Sequence, residues 1–258
     1  MKTKRILACL LAAAFSISMN AAMANGVAFE TTLSDVSFRV DDLAPDDGID
    51  AGYAYGQAST RYTASFQVGG GEMQEMSDTT SGLNPVDYTL TDGTSNISVQ
   101  SNGVPGEISL SGTLKQSLPG EGMTTAYASH SFQLTLDANS QLILSLHILQ
   151  AIDYLADPSE YYSGNTVFSI EISDPVTGRQ SVESRGVQLV GQSNPIFDVD
   201  SSVTYANTTD AAVNLEVTFW SSASNHVTTP VPEPSAYAML VVGLAGMGAV
   251  ARRQQCRA

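Results

Sequence analysis

The chain has 258 residues, 26 acidic against 11 basic, and a formal net charge of −15 at pH 7. Six bases lie in the first five or the last seven residues. Residues 25–229 therefore contain only five basic residues but 25 acidic ones, every acid of the chain except Glu233. Their net charge is −20. A negative field of this size repels nucleic acid and anionic lipid surfaces, so we exclude DNA and RNA as partners. About 205 residues suffice for one domain with its own core.

The first 24 residues have the pattern of a secretory signal peptide. A basic stretch at residues 2–5 precedes an apolar stretch at residues 6–19, and the small residues Ala22 and Ala24 mark a cleavage site. We expect export by the Sec machinery and a mature chain that begins at Asn25. The two cysteines, Cys9 and Cys256, lie outside residues 25–229, so the exported body has no disulfide.

The body shows an apolar periodicity of two residues between segments rich in Gly, Ser, Asn, Asp and Pro. This pattern predicts an all-β fold, an antiparallel β-sandwich of jelly-roll-like winding, over residues 25–220. Only residues 145–156 also fit a helix. The alternating runs are Val36-Phe38-Val40, Val86-Tyr88-Leu90, Ile108-Leu110, Phe132-Leu134-Leu136, Leu142-Leu144-Leu146-Ile148, Phe168-Ile170-Ile172 and Val213-Leu215-Val217-Phe219.

An acidic segment follows the first of these runs. It holds five aspartates in ten residues, with Pro45 and Gly48 between them to favour turns: Asp41, Asp42, Asp46, Asp47 and Asp50. Oxygen-rich clusters of this kind suit Ca²⁺, although the spacing is not that of an EF-hand. The alternative, which we prefer, is a solvated loop whose aspartates stabilise turns.

Catalytic signatures are nearly absent from the sequence. His130, His147 and His226 are too far apart to form a zinc-binding pair, and neither a nucleophile elbow nor a phosphate-binding loop is present. His130 shares the parity of Phe132 and is expected to face inward, whereas His147 has the opposite parity to Leu146. We therefore expect no catalytic residue and no resident cofactor apart from the calcium considered above.

Aromatic residues offer a different kind of site, because their ring faces can stack on sugars. The candidates for recognition of an extracellular polysaccharide are Tyr53, Tyr55, Tyr161, Tyr162 and Trp220. After Trp220, the polar residues 221–229 read as a linker to the tail.

The tail has three parts in sequence. Pro232, Glu233 and Pro234 form a short motif, residues 236–251 contain no charge, and Arg252 and Arg253 follow. Sixteen helical residues extend roughly 24 Å, a little short of the ~30 Å hydrocarbon core, so we predict a transmembrane helix over 236–251. The arginines predict that the C-terminus stays in the cytoplasm and the body outside.

This three-part layout, on a chain with a signal peptide, resembles the PEP-CTERM sorting domain; related tails are also described as ice-binding-protein C-terminal domains. The body has no regular Thr-x-Thr array that would support ice binding. The resemblance implies processing by an exosortase near Pro232-Glu233-Pro234. It also implies a protein anchored in the inner membrane before processing and found at the cell surface or outside the cell afterwards.

Three functions remain open at this point. The first is a noncatalytic cell-surface or matrix protein, the second a polysaccharide-binding module, and the third a hydrolase. The last is the weakest hypothesis, because no nucleophile, base or metal set converges in the sequence.

Overall fold

The computed structural model describes residues 25–48, 50–68, 71–93, 95–116, 121–154, 161–189 and 193–228. These residues form twelve strands and contain no helix. The strands are β1 (Asn25–Asp42), β2 (Tyr53–Gln67), β3 (Gln74–Ser81), β4 (Val86–Asp92), β5 (Ser95–Ser101), β6 (Ile108–Gln116), β7 (Glu121–Leu136), β8 (Ser140–Tyr154), β9 (Tyr161–Ser173), β10 (Gln180–Gln188), β11 (Ile196–Asn207) and β12 (Val213–Thr228).

The strands form two six-stranded antiparallel sheets. Sheet A has the order β11-β8-β1-β6-β5-β4, and sheet B has the order β10-β9-β12-β7-β2-β3. The inward faces of both sheets contribute to a single hydrophobic cluster, for example Leu142 and Leu144 from sheet A and Phe168 and Ile170 from sheet B. The prediction of an all-β sandwich is therefore confirmed.

Strand β8 shows how the sequence pattern produces this layering. Burial alternates along Ser140–Tyr154, with Leu146 and Ile148 inward and His147 and Leu149 half-buried on the outer face. A strand points successive side chains to opposite faces, so an apolar residue at every second position buries one face only. The helical alternative is therefore wrong for residues 145–154, which belong to β8. Residues 155 and 156 lie outside the described residues.

The chain passes repeatedly from one sheet to the other, and the long strands pair in a nested way. Strand β1 pairs with β8 while β2 pairs with β7, and β8 pairs with β11 while β7 pairs with β12. Two irregularities interrupt these ladders, one in β1 between Ser34 and Ser37 and one in β2 between Tyr55 and Ala58. Asp35 within the first bulge has a positive φ of 53°, a conformation that aspartate tolerates better than most residues.

The prediction of a linker over residues 221–229 is wrong for residues 221–228. These residues are the second half of β12, which is paired with β7 on one side and β9 on the other as far as Thr228. Their inward positions are Ser221, Ala223, Asn225 and Val227, each at most 2 % exposed. The pattern resembles a linker because three of these four buried side chains are small or polar.

Both targeting segments lie outside the described residues. These include the signal peptide with Ala22 and Ala24, the motif Pro232-Glu233-Pro234, and Arg252 and Arg253. Within the described ranges no helix is long and apolar enough to cross a membrane. The predicted transmembrane span, residues 236–251, lies outside those ranges.

Candidate functional site

The acidic segment forms the end of β1 and the turn after it. The Oδ1 atom of Asp42 accepts a hydrogen bond from the backbone N–H of Ala44 at 2.8 Å. The backbone N–H of Asp47 donates to the carbonyl oxygen of Ala44 at 2.9 Å, and its Oδ2 accepts from Nδ2 of Asn139 at 3.3 Å. These bonds are those of a turn held together by its own aspartates and tied to the β7–β8 connection.

The remaining aspartates do not complete a cation site. Asp41 forms an ion pair with Arg39, with Nη2 and Oδ2 3.0 Å apart, while Asp46 and Asp50 are exposed. Across the part of the chain that the structure describes, no three His, Cys, Asp or Glu side chains converge as metal ligands would. The geometry favours the turn-stabilising alternative, and calcium binding stays a prediction.

The five aromatic candidates do not form one surface. Tyr162 is only 4 % exposed and packs edge-on against Tyr154, with ring centroids 5.7 Å apart. Tyr53 and Tyr55 lie on β2 beside Phe38 of β1, at an end of the sandwich where the Tyr55 side chain is still 50 % exposed. Partial desolvation and a hydrogen bond with Tyr53 raise the pKa of Tyr55 above its usual range. Tyr161 is the first residue of β9.

Trp220 lies elsewhere, on the outer face of sheet B. Its ring and that of Tyr127 have centroids 6.4 Å apart and planes inclined by 27°. The guanidinium carbon of Arg61 lies 5.8 Å from the centroid of the Tyr127 ring, within the range of a cation–π contact. Ser129 pairs in register with both Arg61 and Trp220 and so lies between them. We call Arg61, Tyr127 and Trp220 the aromatic patch.

The patch is surrounded by hydroxyl groups. The Oγ of Ser131 and Oγ1 of Thr218 are 3.1 Å apart beside it, and Ser169 and Ser222 flank Trp220 on the same face. Half-exposed rings edged by hydroxyls and a guanidinium can stack on a sugar ring and hydrogen-bond its hydroxyl groups. Sequence reasoning identified Trp220 alone, because β2 lacks apolar alternation and only the sheet register brings Arg61 and Tyr127 to Trp220.

A shallow groove of about 350 Å³ is lined by residues of β1, β4, β5 and β6 in sheet A and of the β5–β6 connection. Among its lining residues, Asp87 accepts a hydrogen bond from Gln100 at 3.1 Å and Glu107 accepts one from Asn102. The lining is made of hydroxyls, amides and carboxylates over an apolar floor that includes Leu33. It could bind a polar ligand, but its arrangement does not single out one carboxylate as acid and another as base.

His130 faces inward, as its parity predicts, and is fully buried. Burial lowers the pKa of His130 to about 4, and the backbone of Val104, an acceptor for the protonated ring, opposes that change in part. Nδ1 accepts a hydrogen bond from the N–H of Gly106 at 3.1 Å, so the neutral ring carries its proton on Nε2. Nε2 lies 3.0 Å from Oγ of Ser101 and donates to it. Because Nε2 is already protonated, the pair lacks the free base that nucleophilic serine chemistry requires.

His147 points outward between two carboxylates of the edge strand β11. Nε2 is 3.1 Å from Asp198 and Nδ1 is 3.0 Å from Asp200. A carboxylate only accepts, so this arrangement requires protons on both ring nitrogens. The hydrogen bond to Asp200 raises the pKa of His147, partial desolvation opposes it, and the charges of Asp198, Asp200 and Asp35 add to the rise. The cluster is an ion-pair network on a sheet edge, where charge also hinders edge-to-edge pairing.

The comparisons with known proteins concern the tail. The family model of the PEP-CTERM protein-sorting motif matches residues 230–254. No curated protein matches the chain significantly. The matched segment begins two residues after the end of β12 at Thr228, and it contains the Pro-Glu-Pro motif, the uncharged segment and both arginines. The motif indicates export, membrane-associated sorting and processing by an exosortase.

Proposed function

We propose, starting from the PEP-CTERM sorting domain at residues 230–254, that this chain is a noncatalytic protein of the cell surface or extracellular matrix. The Sec machinery exports it, the segment 236–251 anchors it in the inner membrane, and an exosortase then processes it at or near Pro232-Glu233-Pro234. The processed body reaches the cell surface or the extracellular space. Its fold is a jelly-roll-like sandwich, a classification supported by the nested pairing of β1 and β2 with β8 and β7.

The observation that carries this proposal is the sorting motif, placed directly after an acidic all-β body. The noncatalytic role is supported by His130, whose available nitrogen is already protonated, and by the lack of a converging metal set in the described ranges. A hydrolase remains the weakest hypothesis, since the groove with Asp87 and Glu107 offers no separate acid and base.

The test follows the C-terminus of the full chain in its host. Glu233→Gln should block processing, and deletion of 236–251 should release unprocessed protein. Glu30→Gln, at an exposed position of β1, is the matched control and should be processed normally. Fractionation and intact-mass spectrometry report the outcome. The same intact C-terminus at the same location in wild type and both variants would refute the sorting mechanism.

A second candidate is recognition of a neutral extracellular polysaccharide by the aromatic patch. The stacked rings of Tyr127 and Trp220 beside Arg61 favour it, because an aromatic face and a guanidinium complement the C–H face and the hydroxyls of a sugar. Affinity electrophoresis of the mature protein through gels containing neutral glycans tests it. Trp220→Ala and Arg61→Ala should abolish retardation, whereas Arg39→Ala, an exposed arginine on sheet A, should not. Equal mobility of all four proteins in every gel would remove this candidate.

A further inference from the structure

The C-terminal end of β12, just before the tail begins, is held in place by pairing on both sides. β12 lies between β9 and β7 in sheet B, and its last residue, Thr228, pairs with Tyr161 on one side and Glu121 on the other. Three residues earlier, the buried Asn225 donates from Nδ2 to the carbonyl oxygen of Val27 in sheet A at 3.3 Å. The end of β12 is therefore held both within its own sheet and across the core.

Few residues separate the sorting motif from the end of β12. A chain extends at most about 3.6 Å per residue, so Pro232 lies within roughly 14 Å of Thr228 and Glu233 within roughly 18 Å. The strand β12 alone extends roughly 53 Å over its 16 residues, so this reach is short compared with the body. An enzyme that acts at Glu233 therefore has to approach the end of the sandwich itself, because β12 continues through the residues that a linker would occupy.

The outer face of sheet B presents a polar surface at that end. A cleft of about 80 Å³ is lined by side chains from β9, β10 and β12: Ser163, Asn165, Gln188, Ser224 and His226, with Gly164. We call this set the tail-side patch. Asn165 and Gln188 are exposed and adjacent in register, and Asn165 also pairs with Ser224, four residues before Thr228. Two neighbouring amides supply donors and acceptors that a protein surface can match.

The charge of the body indicates whether a lipid surface or a protein binds the tail-side patch. The body has a net charge of −20, and Glu121 is exposed at the same end, so an anionic lipid surface is repelled. A protein partner that reaches the tail meets the uncharged amide and hydroxyl groups of the patch instead. Glu233 is only five residues after Thr228, so one partner can contact the patch while it acts on the motif.

We propose that the tail-side patch is a docking surface for the membrane-bound enzyme that processes the tail. This inference rests on the proposed processing of the motif. It adds that the enzyme binds the folded body as well as the tail sequence. Docking at a fixed distance raises the effective concentration of the motif at the enzyme, as linked binding sites do.

The experiment compares two double variants of the full chain in the host. Asn165→Ala with Gln188→Ala removes one exposed asparagine and one exposed glutamine amide from the patch. Asn214→Ala with Gln133→Ala removes the same two groups from the far end of the same face, where both are exposed. Asn214 precedes Thr228 by 14 residues, a separation of roughly 46 Å along the strand. The rate of C-terminal processing is followed by pulse-labelling and mass spectrometry.

We expect the patch variant to be processed about tenfold more slowly and the far-end variant at the wild-type rate. A twelve-residue Gly-Ser spacer inserted after Thr229 should make the processing rate independent of the patch substitutions. Limited proteolysis of both variants checks that the body stays folded. If both folded double variants are processed at the same rate while Glu233→Gln is still blocked, the docking surface is overturned and the proposed function is not. If Glu233→Gln is processed normally, the proposed function itself is overturned.

Discussion

Asn225 of the last strand donates its side-chain amide to the backbone carbonyl oxygen of Val27 in the first strand, 3.3 Å away, across the interior of the sandwich. Both residues are fully buried. The bond depends on a neighbour without a side chain, because a Cβ on Gly164 would lie 2.8 Å from Oδ1 of Asn225 and 3.1 Å from Cγ2 of Ile152.

Gly164→Ala should destabilise the protein by about 1–3 kcal/mol, the usual cost of overpacking a core. Asn225→Ala removes the clashing oxygen, so the double variant should lose less free energy of unfolding than the sum of the single losses. A double-mutant cycle in urea measures this coupling. Additive losses would show that the Oδ1 contact does not limit residue 164.

The second half of β12 should be indispensable for folding. A segment of residues 25–229 should be soluble, rich in β-structure and unaffected by reducing agent, because it contains no cysteine. A segment of residues 25–220 lacks half of a central strand and leaves the facing ladders of β7 and β9 unpaired. It should fail to fold. Far-ultraviolet circular dichroism and gel filtration compare the two, and a folded shorter segment would contradict the role assigned to Ser221–Thr228.

His130 should make the protein less stable in mild acid. Its pKa is lowered to about 4 in the folded state, whereas an unfolded histidine titrates near 6.5. Between these two pH values the histidine is protonated in the unfolded state but neutral in the folded state. The free energy of unfolding therefore falls as the pH drops from about 6.5 to about 4, by up to about 3 kcal/mol.

His130→Asn tests this pH dependence, because its Oδ1 can replace Nδ1 as the acceptor for Gly106. The difference in free energy of unfolding between wild type and variant, measured in urea from pH 7 to pH 4.5, removes the contribution of the many carboxylates. If that difference stays constant across the range, His130 is not the titrating group.

His147 should have the opposite effect. Its pKa is raised, mainly by the hydrogen bond to Asp200, so its contribution to stability is fully present below about pH 6.5 and is lost as the pH rises through the folded pKa. Asp200→Asn should move the His147 titration, followed by NMR of the imidazole, towards lower pH. Asp210→Asn, at an exposed loop position, is the control. An unchanged midpoint in Asp200→Asn would rule out that hydrogen bond as the cause.

Calcium should leave the melting temperature of the mature protein unchanged. Asp41 is paired with Arg39 and Asp42 caps the turn at Ala44, so these carboxylates already have partners. Calorimetry in millimolar Ca²⁺ and in chelator makes the comparison. A rise with Ca²⁺ that vanishes in an Asp46→Asn, Asp47→Asn variant would establish the calcium site, since a ligand at 100 times its dissociation constant stabilises by about 2.7 kcal/mol.

The sequence alone determined the features that depend on local pattern. Alternating apolar residues identified β1, β4, β6, β7, β8, β9 and β12, because one face of each strand packs into or against the core. The same parity predicted that His130 faces inward and that His147 does not share the inward face of Leu146. The tail was recognisable because its motif, uncharged segment and arginines are contiguous.

Tertiary structure alone decided the rest. β3 and β10 are edge strands with mostly exposed side chains, and they form because a neighbouring strand offers unpaired backbone groups, which leaves no apolar signature. The end of β12 looked like a linker because a centrally paired strand can bury Ser221 and Asn225 as readily as larger apolar residues. Register, which no local pattern encodes, brings Arg61 and Tyr127 to Trp220. Pairing on both sides also holds β12 in its sheet as far as Thr228, two residues before the sorting motif begins.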